Sequence, residues 1–125
     1  MNITEIVQKA TTAANAAGDE WIKNATPKYA VYIDAPLFGS GGTFSGTMLD
    51  SCGNAHVQFK DARSSFYKKF VKAGLVRESG NKVVEIHHKF KSRQEYGLAL
   101  TCAEAAKKIL ENNGISGLVI WQYID

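Results

Sequence analysis

The chain has 125 residues, 45% of them apolar and 22% charged, which is the length and balance of one globular domain able to bury a core without metals or disulfides. A net charge of +3 excludes a uniformly basic coat for nucleic acid and leaves room for a local basic patch. Two cysteines, Cys52 and Cys102, exclude a disulfide scaffold and are expected as buried thiols of a reducing compartment.

The N-terminal stretch has no basic region followed by an apolar run, and no apolar stretch approaches membrane-span length, so a cytoplasmic protein without a membrane partner is expected. The glycosylation triplets at Asn2 and Asn24 carry no weight without a secretory route. Asn2 with Glu5 forms a capping box for a first helix, and Ile3, Ile6, Val7, Ala10, Ala13, Ala14 and Ala17 follow helical spacing. That alanine-rich stripe predicts close packing against something flat. Gly18 interrupts it, Asp19 to Ile22 continues it or starts a new turn, and Pro27 ends the segment.

Lys28 to Asp34 alternates as a first strand, closed by Pro36. Leu37 to Asp50 interleaves Gly39, Gly41, Gly42 and Gly46 with serine and threonine and is expected as a flexible loop or a flap over a ligand. It has no GK[ST] ending of a P-loop. Cys52 to Lys60 is a second strand with Ala55, Val57 and Phe59 on one face and His56 and Gln58 on the other. Asp61 is the expected N-cap of a basic amphipathic helix that buries Ala62, Phe66, Phe70, Val71 and Ala73 and stops at Gly74.

Leu75 to Glu78 and Lys82 to Phe90 read as a hairpin through Ser79-Gly80-Asn81. Ser92 with Glu95 predicts a second capping box, opening a helix to about Asn113 with Tyr96, Ala99, Cys102, Ala106, Ile109 and Leu110 as its apolar stripe and Gly114 as its stop. Gly117 to Ile124 is a last strand, apolar enough to be expected as central or well covered. The order predicts a single α+β domain: a mainly antiparallel or mixed sheet of about five strands with three helices packed largely on one face.

Three runs are CGNAHVQF with RSSFYKKFVKAG, the helix SRQEYGLALTCAEAAKKILENNGI, and a final strand ending in Asp125. Together they resemble a family of small proteins of tailed bacteriophages, which carry a CG-x-A-x-V strand, a basic F-x-[KR]-W-like helix ending in glycine, and an alanine-rich helix ending in GI. Phe70 stands in place of the family's tryptophan, and Glu85-Ile86-His87 replaces an aromatic-rich strand. The resemblance covers the last three quarters of the chain. It implies a phage origin, a host-cell cytoplasm and, by analogy, a counter-defence role, and brings no catalytic residue with it.

The residues offer several chemistries. Cys52, His56, His87 and His88 suit a transition metal in type, but lack paired spacing, and adjacent histidines on a strand face opposite ways; no metal or cofactor is expected. Cys102 lies on an apolar stripe, and nothing around Cys52 or His56 matches a hydrolase signature. The carboxylates Asp34, Asp50 and Glu85 are scattered, so no enzyme is expected. Tyr29, Tyr32, Trp121 and Tyr123 are strand aromatics able to stack on a base or fill a core. The start of the basic helix is the best site: Arg63 and Ser64 at its first turn and Lys68 and Lys69 beyond favour an anion, with His56 on the preceding strand and Gly41 and Gly42 as a flap. The expectation is a homo-oligomeric binding protein that sequesters an anionic, nucleotide-like small molecule. A protein that blocks a host enzyme and a nucleic-acid binder are the alternatives.

Overall fold

The computed structural model describes residues 2–25, 29–33, 43–48, 52–77, 82–93 and 95–124. Among them the chain is α+β: α1 (Ile3–Asn24), β1 (Tyr29–Ile33), β2 (Thr43–Met48), β3 (Gly53–Phe59), α2 (Ser65–Lys72), α3 (Tyr96–Asn112) and β4 (Leu118–Ile124). The expected sheet of about five strands is not formed. Instead β1 pairs antiparallel with β2, with a bulge between Val31 and Tyr32, and β3 pairs separately and antiparallel with β4. Thr43–Met48, read from its glycines as loop, is the strand β2.

Asn2 caps α1 as expected, its Oδ1 accepting the Glu5 N–H at 2.9 Å. Gly18 does not break this helix. A Cβ there would lie 2.2 Å from the Phe90 ring and 3.0 Å from Cys102 Sγ, so the missing side chain is what lets α1 close on both. Ala10, Ala14 and Gly18 recur every four residues and are buried, giving the flat face that packs on α3. Cys102 Sγ there donates to Ala14 O at 3.4 Å.

The other face of α3 lies on β3–β4. Ala55, Val57 and Phe59 alternate inward with Leu118, while Asn54, His56 and Gln58 face the other way. Phe59 is fully buried and meets Phe70 and Tyr67 of α2 edge-on at 5.1 and 5.8 Å.

Two helix starts differ from expectation. Asp61 Oδ1 accepts the Arg63 N–H at 2.8 Å and so makes an Asx turn, and Ser64 is the cap, its Oγ accepting from Phe66 N at 3.2 Å and Tyr67 N at 3.5 Å. The helix therefore begins after Ala62 and Arg63. At α3, Ser92 caps nothing: Glu95 is the N-cap residue without a side-chain cap bond, because its buried carboxylate is held by Arg93. Both helix stops match: Gly74 and Gly114 have φ of 73° and 87°, and Leu75 N and Ile115 N reach back to Phe70 O and Leu110 O at 2.9 and 3.1 Å.

The hairpin arms are where the five-strand expectation fails. Val83 bridges Gln58 of β3, and Val84 bridges Val76, but among the described residues pairing goes no further. Ile86 N turns back onto Val84 O at 3.0 Å, bending the chain. Beyond it, Lys89 N donates to Asn15 Oδ1 and Lys89 Nζ to Asp19, both at 2.8 Å. These bonds and the seat of Phe90 on Gly18 pull the segment toward α1 and away from the β3 edge. Among the described residues the next bridge is that of Glu95 with Cys52, just before β3.

Of the sequence readings, the Ser79-Gly80-Asn81 turn, Pro27, Pro36, Asp34, Asp50, Gly41, Gly42 and Asp125 lie outside the described residues. No helix among the described residues is long and apolar enough to cross a membrane.

Candidate functional site: a cationic cleft at the edge of β3

The departure and return of segment 84–95 opens a cleft of about 250 Å³ along β3. Its floor is apolar, from Ala55 and Val57 of β3, Ile86 and Phe90, and Ala99, Cys102 and Ala103 of α3. Its polar rim is Asn54, His56, Arg77, His88, Lys91 and Arg93. No carboxylate is among the described residues lining it.

Geometry fixes the two histidines. His56 Nε2 lies 3.0 Å from Gln58 Oε1, a carbonyl oxygen that requires the proton on Nε2. Its ring stacks on Trp121 across the strand pair, centroids 4.7 Å apart and planes at 15°. His88 Nδ1 accepts the Phe90 N–H at 3.2 Å, which leaves the neutral ring's proton on Nε2. Burial lowers the pKa of both below the ordinary histidine value, with Arg77 adding to the effect at His56 and Lys91 at His88, although the Gln58 bond opposes it at His56. Both rings are therefore neutral donors at pH 7, gaining charge only if an anion arrives or the pH falls.

The three rim cations differ in freedom. Arg93 is committed to Glu95, with Nε 2.9 Å from Oε1 and Nη2 on the second oxygen; this hydrogen bond, before the charge itself, raises its pKa. Arg77 touches Glu85 through Nε alone, at 3.4 Å. Lys91 is exposed and has no ion-pair partner among the described residues.

The residues predicted as a site are divided. Of those among the described residues the cleft recruits His56; Arg63, Ser64, Lys68 and Lys69 do not line it, and Gly41 and Gly42 lie outside the described residues. At the start of α2 two of the N–H groups that would face an anion, those of Phe66 and Tyr67, are taken by Ser64 Oγ. Arg63 precedes the helix, its side chain 92% exposed and 3.5 Å from Asp61. Lys69 and Lys72 occupy the last turn, where the helix dipole favours them, and Lys69 Nζ sits 5.7 Å over the Phe66 ring. Among the described residues no group of three or more His, Cys, Asp or Glu is placed to hold a metal ion. Cys102 is buried, its thiol pushed up to about 11 by desolvation and then by Asp19, and is inert at neutral pH.

Sequence reasoning missed Arg77, Lys91, Arg93 and His88 as one group. The signal available was the spacing of basic residues across 87–93, HHKFKSR, which reads as the end of a strand until the turn at Ile86 is known. Comparison of the chain with family models, with curated proteins and with solved structures gave no match.

Proposed function

We propose that the protein binds a small phosphorylated anion of the nucleotide class in the cleft beside β3 and acts by sequestration, without breaking a bond. The observation that carries this reading is the rim itself: Arg77, Lys91, Arg93, His56 and His88 line one opening, Lys91 has no ion-pair partner among the described residues, Arg77 meets Glu85 through Nε at 3.4 Å, and although Arg93 is held by Glu95, no carboxylate is among the described residues lining the cleft. Charge-assisted hydrogen bonds from Arg77 and Lys91 would be about twice as strong as neutral ones. A volume of about 250 Å³ lies below the usual range for whole drug-sized ligands, so the cleft takes the phosphate-bearing end and leaves the rest at its mouth. Capture of a phosphorylated signal is also the form that a phage counter-defence role would take.

Calorimetric titration with inorganic phosphate, pyrophosphate and mononucleotides tests the reading. Arg77→Gln and Lys91→Gln should each weaken binding by about tenfold or more, the loss of about 1.5–3 kcal/mol typical of a hydrogen bond to a charged group. Arg63→Ala should leave it unchanged. Binding lost in Arg63→Ala and kept in both cleft variants would return the site to the helix start, and no binding of any of these anions would sink the proposal.

A further inference from the structure

We infer that β4 pairs with β4 of a second copy, joining two β3–β4 pairs into one four-stranded antiparallel sheet. The inference is independent of what the cleft binds.

Hydrogen-bond parity shows which edge of β4 is open. Val57 O accepts from Val84 N and Phe59 N donates to Lys82 O, at 2.9 and 3.0 Å, so the odd-numbered residues of β3 direct their backbone groups away from β4. The even-numbered ones, Asn54, His56 and Gln58, therefore bond to β4, opposite Tyr123, Trp121 and Val119. It follows that Leu118, Ile120, Gln122 and Ile124 aim N–H and C=O out of the other edge, where no strand among the described residues pairs with them.

Edges of this kind are normally guarded by lysine, proline, a bulge or a short strand. β4 has none of these. It is seven residues long, LVIWQYI, without charge or proline, and its register with β3 is unbroken. It also carries the large exposed apolar residues of the described chain: Trp121, Tyr123 and Ile124 are 40, 46 and 62% exposed. Charge selects the occupant. On a chain of net charge +3 this strand is neutral, so an acidic partner finds nothing there to pair with, whereas two copies meet without like-charge repulsion. An antiparallel edge is also self-complementary under a two-fold axis. With the axis at Trp121 every residue of β4 is paired, Leu118 against Ile124 and Ile120 against Gln122, which matches the outward groups to one another. The two Trp121 rings then meet as a cross-strand pair on the face opposite α3, extending the stack that His56 begins. Both clefts lie on the outer edges of the joined sheet, beside β3, and stay open.

Sedimentation velocity from about 1 to about 100 μM should show the mass rising toward twice that of the monomer, as expected for an interface smaller than standard size. Ile124→Pro removes one outward N–H and Tyr123→Lys supplies the missing guard. Each, with its circular dichroism unchanged, should shift the midpoint of association by about tenfold or more. Amide exchange on the wild-type protein gives a readout that needs no variant: the N–H groups of Ile120, Gln122 and Ile124 should slow as concentration rises. A chain that stays monomeric throughout, or one that doubles its mass with those three amides unchanged, would overturn the inference.

Discussion

At the scale of single residues, three positions have consequences that chemistry alone fixes. Gly18 is a contact, not a hinge. Gly18→Ala should gain about 1 kcal/mol of helix propensity yet lose more, because its Cβ would sit 2.2 Å from a buried Phe90 ring. A net loss of roughly 1–2 kcal/mol in urea unfolding is expected for such overpacking. The Cys102 thiol is raised to about 11, so the unfolded chain loses this proton first as the pH climbs, and the folded state is progressively disfavoured between about pH 9 and 11. Alkylation at pH 8 followed by peptide mass spectrometry should leave Cys102 unmodified in the folded protein. His56 and His88 act in the opposite pH range. Their pKa values are lowered on folding, so the unfolded chain binds protons that the folded one refuses, and stability should fall as pH drops through about 6.5. A bound anion reverses the penalty, so phosphate affinity should strengthen over the same interval. Thermal melts with and without phosphate at pH 7.5 and 5.5 check both signs at once.

At the scale of elements, the helix interiors, the capped start of α1 and the glycine stops of α2 and α3 were legible in the sequence, while the starts of α2 and α3 were not. Periodicity located α1, α2 and α3, and Gly74 and Gly114 end α2 and α3 through the left-handed turn that glycine adopts without steric cost. Caps are harder to read because Asp61 and Ser64 both have the chemistry for the role, and because Glu95, the expected capping-box partner of Ser92, stands at the cap position without a side-chain cap bond. The winner is decided by what else each side chain meets. Asp61 folds onto the Arg63 N–H, and Glu95 is claimed by Arg93. Ser64→Ala should therefore cost about 1 kcal/mol in chemical denaturation, and Asp61→Ala less. Strands were legible by alternation in β1 and β3 and as an apolar run in β4, although β4 is exposed over residues 121–124 rather than well covered; β2 was hidden by its glycine, serine and threonine content, which carries no alternating apolar signal.

At the scale of the whole molecule, what decides the architecture is competition for the edge of β3. Segment 82–95 begins as its neighbour at Val83 and rejoins it at Glu95, but between those points Asn15, Asp19 and Gly18 of α1 draw Lys89 and Phe90 to themselves. The same competition makes the cleft, so the missing strands and the candidate site have one cause. Arg93 also holds the buried Glu95 in place. Arg93→Gln is therefore expected to lower stability as well as affinity, which separates it from Lys91→Gln, whose effect should be confined to binding. The amino-acid sequence by itself determined the α+β class, the helical periodicities, the glycine stops, the inert character expected of Cys102 and the neutrality of β4, because these depend on neighbours a few residues apart. The separation of the two strand pairs, the true caps and the gathering of His56, Arg77, His88, Lys91 and Arg93 around one opening were decided by tertiary structure. They depend on α1 reaching across about seventy residues of chain to Lys89, and no local pattern reports such a contact.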